Sequence, residues 1–267
     1  PRTVRFATYT LKYNRMHWVT IDRLDEHWEQ ARVDAAWNLN NGNRLNVDTK
    51  NVTGITFSMP AGWCPFDVTN SVAVTIDKQT LRVPRPRSDR SWSSTLHKTA
   101  DGWKLGPAPD SGLRKRHDLQ GPIDDAFMDA FLVVRPTGKA RHPAVETWTH
   151  SELDHFREHW RRQFRGDIRE KNDVDLTDDD IADSNLILFG DTQSNRTLKR
   201  ISADRPMQWN AQKITVGKHN FDAKHHAPIL IQPNPLNPKR YVVVNSGFTY
   251  REYAYLNNAR QVPMLPD

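Results

Sequence analysis

The sequence has a single cysteine, Cys64, and no run of about 18 apolar residues of the kind that crosses a bilayer as a helix. One thiol cannot form a disulfide within the chain, and it cannot supply the ligands of a cysteine-based metal site. Its flanks, Gly62-Trp63 and Pro65-Phe66, predict a thiol held in a turn with a structural role. A disulfide-stapled scaffold is therefore excluded, and no membrane span is expected.

Long stretches of one charge sign are also lacking. Lys and Arg number 38 against 32 Asp and Glu, which gives a net charge of +6 over 267 residues. Basic residues are interspersed with acidic ones, and no Lys/Arg tract is interleaved with aromatic residues as in nucleic-acid-binding segments. We expect no nucleic-acid partner, and the charge is interpreted as a contribution to solubility.

Three glycine-containing signatures are missing. The chain contains no G-x-G-x-x-G, no G-x-x-x-x-G-K-[ST] and no G-x-S-x-G. A nucleotide is therefore not expected, and no other cofactor is predicted. A serine nucleophile in this chain would lack its usual strand-to-helix turn, because Ser246 has only one flanking glycine.

The first half of the chain reads as short β-strands. Residues 4–10 alternate apolar and polar side chains, and Asn41-Gly42 between two further runs is the strongest hairpin signal in the sequence. The remaining runs follow at the spacing of a sandwich, at 17–21, 52–59, 72–76, 81–83, 93–98 and 103–105. This half predicts an antiparallel, sandwich-like layer of roughly six to eight strands.

A break in composition separates the two halves. Residues 107–118 (PAPDSGLRKRHD) combine proline, glycine and charge without an apolar period, which predicts a linker. The predicted domains are a β-rich domain over 1–106 and a small α/β domain over 119–267 with a C-terminal strap. The fold class is thus α+β or α/β, with the β-rich layer followed by a Rossmann-like sheet.

The second domain is organised around residues 121–138 (GPIDDAFMDAFLVVRPTG). An acidic cluster, Asp124, Asp125 and Asp129, precedes the apolar run 131–134, whose length and flanks are typical of a fully buried strand. We predict that this run is the first central strand of the sheet. The carboxylates either form an acid/base pair or are solvated charges at the start of an element, and we favour the second interpretation.

Helices and strands alternate after this run. Apolar residues recur at helical spacing over 143–164, Thr177 is positioned to cap a short acidic turn, and Asp191 or Ser194 is expected to cap a helix over 195–201. Further strands are predicted at 186–189, 214–217, 229–231 and 241–244. The proline-rich residues 233–238 are expected to stay outside the sheet interior, and residues 250–267 to form an irregular strap.

The ends of the predicted strands supply one candidate site. Ligands of open α/β sheets bind beyond the carboxyl ends of the strands, and a helix start can hold an anion on its free N–H groups. The pocket candidates at these ends are Arg135, Asp191, Ser194, Asn195, Asn245 and Ser246. The alternative, in which Asp191 and Ser194 merely cap the helix, is favoured.

Two histidine groups supply metal candidates. His155 and His159 fit the H-x-x-E-H pattern and lie four residues apart on the predicted helix, so that they point the same way. His225 and His226 cluster with His219 and Asp222 between two predicted strands. A chain with 11 histidines produces such spacings by chance. We therefore predict no metal site and favour a helix face and a polar loop, respectively.

Tryptophan is concentrated in the first half. Six of the nine tryptophans lie before residue 104, at positions 18, 28, 37, 63, 92 and 103. Flat aromatic faces stack on sugars, which would suit a carbohydrate-binding module. The favoured alternative is that large aromatic side chains fill the core of a small sandwich.

Several long motifs carry a resemblance to a known family. Residues 13–21 (YNRMHWVTI), 119–129 (LQGPIDDAFMD), 233–238 (PNPLNP) and 244–248 (VNSGF) resemble the C-terminal region of large bacterial serine peptidases. These are prolyl-oligopeptidase-family proteins of the α/β-hydrolase type, abundant in planctomycetes. The likeness spans nearly the whole chain. In that family the catalytic domain precedes this region, and its nucleophile has no matching position here.

The resemblance implies a non-catalytic accessory region that serves in substrate access, assembly or attachment. Its partner would be the upstream α/β-hydrolase domain of the same precursor, with a peptide or glycan as possible substrate. Because the chain starts at Pro1-Arg2 without a methionine, we expect a fragment or a processed product. The resemblance implies a secreted or periplasmic protein. The alternatives are an independent hydrolase using His155 and His159 or the strand-end pocket, and a carbohydrate-binding module.

Overall fold

The computed structural model describes residues 1–40, 42–109, 112–202 and 207–249. The chain divides into two compact units, unit 1 with Pro1–Gly112 and Arg116–Gln120, and unit 2 with Leu113–Lys115 and Gly121–Asp267. Both belong to a β-rich fold that mixes several sheets with few helices. The strap predicted for 250–267 lies outside the described residues.

In its described residues, unit 1 consists of short strands and one 3₁₀ turn at Leu11–Tyr13. Its strands are β1 (Thr3–Thr8), β2 (Arg15–Met16), β3 (Val19–Leu24), β4 (Ala31–Asn38), β5 (Arg44–Lys50), β6 (Val52–Met59), β7 (Val72–Ile76), β8 (Gln79–Val83), β9 (Trp92–Thr99) and β10 (Gly102–Leu105). The number exceeds the six to eight predicted from the sequence.

The strands of unit 1 form two five-stranded sheets, in the orders β1-β4-β5-β7-β8 and β10-β9-β6-β3-β2. All pairs are antiparallel except β5 and β7, which run parallel. The purely antiparallel layer predicted from the sequence is wrong at this pair. The reason is connectivity, since the chain leaves β5 to form β6 in the other sheet before it returns as β7, and such a crossover allows parallel pairing.

The two sheets contribute to one hydrophobic core. Burial alternates along β1, β5 and β7, as expected for strands with one face inward, and apolar side chains from both sheets belong to the same cluster. Trp18, Trp92 and Trp103 are part of it. Cys64 is buried in it as well, and burial raises the pKa of its thiol, which keeps the thiol protonated.

Unit 2 alternates strands and helices, as the sequence predicts. Its elements are a 3₁₀ helix (Ile123–Phe127), β11 (Phe131–Arg135), α1 (Pro143–Phe164), β12 (Glu170–Asn172), α2 (Asp178–Asp183), β13 (Asn185–Leu188), α3 (Arg196–Ile201), β14 (Met207–Trp209), β15 (Lys213–Val216), β16 (His219–Asp222), β17 (Leu230–Asn234) and β18 (Asn237–Val244). The helix predicted over 143–164 is confirmed to the residue.

The main sheet of unit 2 has the order β12-β11-β13-β18-β17. Its first four strands are parallel, and β17 pairs antiparallel with β18 at the edge. β11, β13 and β18 carry the continuous apolar runs typical of strands covered on both faces. A separate antiparallel sheet is formed by β14, β15 and β16.

Two local predictions in unit 2 are wrong. The proline-rich residues 233–238 do not separate two strands, because β17 and β18 extend into them and meet at a tight turn where Asn234 pairs with Asn237. Pro233 fits because β17 is an edge strand. Helix α3 is capped by Asn195, whose side chain accepts from the N–H groups of Thr197 and Leu198, and neither Asp191 nor Ser194 occupies the cap position.

An aromatic cluster packs α1 within unit 2. Phe156 has its ring centroid 5.3 Å from that of Phe127, 6.2 Å from Phe131 and 6.0 Å from Phe248. Trp160 extends the cluster, 4.8 Å from the ring of Phe131. Through these edge-to-face and tilted contacts α1 packs against the other aromatic residues of unit 2. The residues of α1 that take part belong to the apolar stripe that the sequence period predicts.

Candidate functional site

The polar residues after β13 form a buried network centred on Asp191. Its Oδ1 accepts from the N–H groups of Gln193 (2.9 Å) and Ser194 (2.8 Å) and from the Ser194 hydroxyl (2.9 Å). Its Oδ2 accepts from the N–H of Arg141 at 2.8 Å, which ties the loop before α1 to the loop after β13. The Asp191 side chain belongs to a residue that is only 2% exposed.

The geometry of this loop depends on Gly190. Its φ of +110° lies in the left-handed region that favours glycine, and a Cβ there would come within 2.6 Å of the Ser194 Oγ. The Asp191 N–H donates to that same Oγ at 2.9 Å. Gly190, Asp191 and Ser194 therefore form one closed turn whose polar atoms bond to one another.

Two asparagines join the network to the neighbouring strands. Asn195 donates its Nδ2 to the carbonyls of Phe189 (2.9 Å) and Val134 (3.2 Å), in addition to capping α3. Asn245 exchanges two hydrogen bonds with the backbone of Gly190, at 2.8 and 3.0 Å. Its φ of +53° is one that asparagine tolerates better than most residues. The ends of β11, β13 and β18 are thus held at one level.

Ser246 and Arg135 do not join a reactive constellation. Ser246 is fully buried, and its hydroxyl donates to the carbonyl of Gly247 at 2.8 Å. Arg135 lies apart from the network, where its Nη2 donates to Asn172 at 2.9 Å and its Nε lies 3.5 Å from Glu170. Of the six candidates, Asp191, Ser194, Asn195 and Asn245 are brought together.

An open cleft of about 270 Å³ lies beside Arg135, between the end of β11 and α1. Arg157 on its α1 side donates to both oxygens of Glu170, at 2.8 and 2.7 Å, and to Asp154 at 2.6 Å. The hydrogen bond to Glu170 raises the pKa of Arg157 above its ordinary value. Both arginines that line the cleft are thus already engaged by acidic or amide side chains of the protein.

The three carboxylates at residues 124–129 each form hydrogen bonds with a different part of the chain. Asp124 accepts from the N–H and the hydroxyl of Thr249, at 2.6 and 2.5 Å. Asp125 accepts from the Tyr241 hydroxyl at 2.7 Å. Asp129 accepts from the N–H of Ala130 and from Arg240, and these two hydrogen bonds hold the pKa of its carboxyl below the ordinary value. Asp129 is an exposed charge just before β11, as the favoured interpretation has it, whereas Asp124 and Asp125 are half-buried and bond to another part of unit 2.

The two histidines of the H-x-x-E-H pattern lie side by side on α1, as the spacing predicts. Their rings stack at a centroid separation of 4.0 Å with planes inclined by 26°. His159 is buried, whereas His155 is half-buried. Stacked rings present their faces to each other, which differs from two nitrogens converging on one ion.

The second histidine group forms a hydrogen-bonded loop at the end of β16. Asp222 Oδ2 lies 2.7 Å from His225 Nδ1, and the Asp222 carbonyl lies 2.9 Å from His226 Nδ1. The N–H of Lys224, followed by His225, lowers the pKa of Asp222. Among the residues that the structure describes, no three His, Cys, Asp or Glu side chains are grouped so as to hold a metal ion.

Within the described ranges, no helix is long and apolar enough to cross a membrane.

Unit 1 contains a cavity that sequence reasoning missed. It measures about 390 Å³ and is lined by Trp18, Trp37, Trp63, Arg2, Arg15 and His17, among others. The three tryptophans come from different parts of the chain, so sequence spacing could not group them. The signal that the sequence did carry was the concentration of tryptophan in the first half, which includes positions 18, 37 and 63.

The comparisons with known proteins identify no relative: no family model, curated protein or solved structure matches this chain.

Proposed function

We propose that this chain is a non-catalytic accessory region of a larger serine hydrolase of the prolyl-oligopeptidase type. The observation that carries the proposal is the buried network around Asp191, whose carboxylate and neighbouring hydroxyl bond to groups of the protein itself. A catalytic acid, base or nucleophile must reach a substrate, and these groups are enclosed and already bonded. The network acts as a fastening of the strand ends.

The motifs that carry the family resemblance support the same role. Asp124 and Asp125, in residues 119–129, bond to Thr249 and Tyr241 near the end of the described chain. Gly247, in residues 244–248, packs against Phe156 of α1. In the first motif carboxylates bond to other parts of unit 2, and in the second the lack of a side chain lets the backbone approach α1 closely.

The proposal also covers the domain type of each unit, the partner and the location of the protein. Unit 1 is proposed as a β-sandwich-like layer, supported by the core that its two sheets share, and unit 2 as a small Rossmann-like domain, supported by its four parallel strands. The partner is the upstream α/β-hydrolase domain of the same precursor, in a secreted or periplasmic bacterial protein. The accessory roles are substrate access, assembly or surface attachment.

The structure supports the two alternative functions to different degrees. A metal-dependent hydrolase using His155 and His159 is disfavoured by the stacking of the two rings. Carbohydrate binding by unit 1 is favoured by the tryptophan-lined cavity. The latter is compatible with an accessory region, because substrate capture and attachment are binding functions.

A turnover assay tests the proposal. The pure chain, assayed with p-nitrophenyl esters and prolyl p-nitroanilides with and without chelator, is expected to give no hydrolysis above the buffer rate. The matched variants are Ser246→Ala and His155→Ala, with Ser151→Ala on the exposed face of α1 as control. Hydrolysis by the wild type that disappears in Ser246→Ala or His155→Ala, but persists in Ser151→Ala, would contradict the proposal.

A further inference from the structure

The cavity of unit 1 combines aromatic walls with two arginines that have no ion-pair partner among the residues that the structure describes. We propose that it binds an acidic saccharide, with a pyranose ring against tryptophan and a carboxylate or sulfate on arginine. The cavity, about 390 Å³, lies within the roughly 300–1,000 Å³ range of small-ligand sites. This proposal deepens the carbohydrate-binding candidate and rests on it, and it is argued from unit 1 without the accessory role.

Trp63 is the most unusual residue that lines the cavity, because this large aromatic residue is 73% exposed to solvent. The turn that carries it is nevertheless firmly held. Gly62 N–H donates to Asp89 O at 2.9 Å, Cys64 N–H to Arg90 O at 3.0 Å, and Arg90 Nη2 to Cys64 O at 3.1 Å. The backbone of this turn is therefore pre-organised to present the indole to a ligand, since little backbone entropy remains to be lost on binding.

The other two tryptophans of the cavity are held by hydrogen bonds of their indole N–H groups. The indole N–H groups of Trp18 and Trp37 both donate to the Pro1 carbonyl, at 2.9 and 3.3 Å. Trp18 is only 7% exposed and the guanidinium of Arg2 lies over the Trp37 ring, so these two rings serve as apolar wall and the exposed ring of Trp63 is the stacking face. The weakly positive C–H bonds on one face of a pyranose suit the negative face of such a ring.

Arg2 and Arg15 supply the charge. Arg2 places its guanidinium 5.7 Å from the centre of the Trp37 ring and donates its Nε to the Trp37 carbonyl, while Arg15 donates its Nε to the His17 carbonyl at 3.2 Å. In the described part of the chain neither arginine has a carboxylate within salt-bridge distance, and no acidic residue lines the cavity. Their terminal nitrogens match the geometry of a carboxylate or sulfate.

The backbone at the cavity is constrained as well. His17 has a φ of +52°, a left-handed conformation that is uncommon for residues other than glycine, in the two-residue turn between β2 and β3. This conformation belongs to the turn that places His17 and Trp18 on the cavity wall. Such outliers occur more often at binding sites than elsewhere.

A saccharide fits this site better than a peptide or a nucleic acid. A peptide that adds to a sheet edge needs a row of free backbone groups, and the adjacent edge strand β2 has only two residues. Single-stranded nucleic acid needs a positive track along many phosphates, whereas this cavity has two arginines. The site has the extent and charge for a short anionic glycan.

Isothermal titration with trigalacturonic acid tests the proposal, with its methyl ester as the uncharged probe of the same shape. We expect the acid to bind, and the ester to bind at least about tenfold more weakly because the charge-assisted hydrogen bonds are lost. Trp63→Ala and Arg15→Gln should each weaken binding of the acid by about tenfold or more. Affinity should fall with added salt, since both arginines are exposed.

The matched controls are Tyr9→Ala, an exposed aromatic just after the end of β1, and Arg82→Gln, an exposed cation on β8. Both should bind within about twofold of the wild type, since neither residue lines the cavity. Unchanged affinity in Trp63→Ala and Arg15→Gln would overturn the site. Tighter binding of polyglutamate or oligothymidylate, or no binding to any uronate, sialylated or sulfated glycan on an array, would overturn the ligand class.

Discussion

Replacing Asp191 by alanine is expected to destabilise unit 2 more than any other single change considered. The substitution removes the acceptor of four hydrogen bonds and leaves the N–H groups of Arg141, Gln193 and Ser194 without it in a buried site. A buried donor that loses a charged acceptor costs about 1–3 kcal/mol, and the losses within one network are not additive. We expect the free energy of unfolding of unit 2 to fall by about 3–5 kcal/mol.

Amide hydrogen exchange over a urea series, read by mass spectrometry, resolves this effect in unit 2 separately from unit 1. The peptides of β13 and β18 should lose protection at much lower urea in Asp191→Ala. The control is Asp179→Ala, an exposed carboxylate in the first turn of α2, expected to cost less than about 1 kcal/mol. Equal urea midpoints for Asp191→Ala and the wild type would mean that the network does not fasten the strand ends.

Gly247→Ala is expected to have the second largest effect, through overpacking. A Cβ at Gly247 would come within 2.4 Å of Phe156 Cγ and 2.7 Å of Phe156 Cβ, and Phe156 is itself fully packed among aromatic rings. Neither the Phe156 side chain nor the backbone at Gly247 can move away unless α1 or the end of β18 shifts. Overpacking of this kind costs about 1–3 kcal/mol, and we expect the upper part of that range.

Gly166→Ala provides the matched control for this substitution, because nothing lies within 4 Å of a Cβ at Gly166. Its urea midpoint in the same exchange experiment should stay close to that of the wild type. Phe156→Ala removes Cγ and Cδ2, the two atoms nearest to the added Cβ, and should partly relieve the clash, so that the double variant loses less stability than the sum of the single ones. Strict additivity of Gly247→Ala and Phe156→Ala would count against direct contact as the cause.

Local patterns predicted the elements of unit 2 well. The apolar period over 143–164 and the Thr177 capping signal are short-range properties, and both α1 and the capping box of α2 appear where expected. The parallel pairing of β5 with β7 was missed because it depends on which sheet β6 joins. Sheet membership is a long-range choice that alternation in a strand does not encode.

For the strand-end site, the sequence predicted where the residues lie better than it predicted what they do. Parallel strand ends did bring Asp191, Ser194, Asn195 and Asn245 together, as the rule for open sheets suggests. Their burial and mutual bonding could not be read from the sequence, since it requires knowing that the loops before α1 and after β13 close over one another. Arg2 and Arg15 were not grouped with the tryptophans of unit 1, because the residues that line that cavity are far apart in the chain.

Labelling with a fluorophosphonate probe, followed by peptide mass spectrometry, tests the central claim most directly. Such a probe reacts with activated serine hydroxyls. If the strand-end groups only fasten the fold, the native chain should show no adduct on Ser194 or Ser246. A stoichiometric adduct on either serine, abolished when the chain is unfolded before labelling, would show an activated nucleophile and contradict the account.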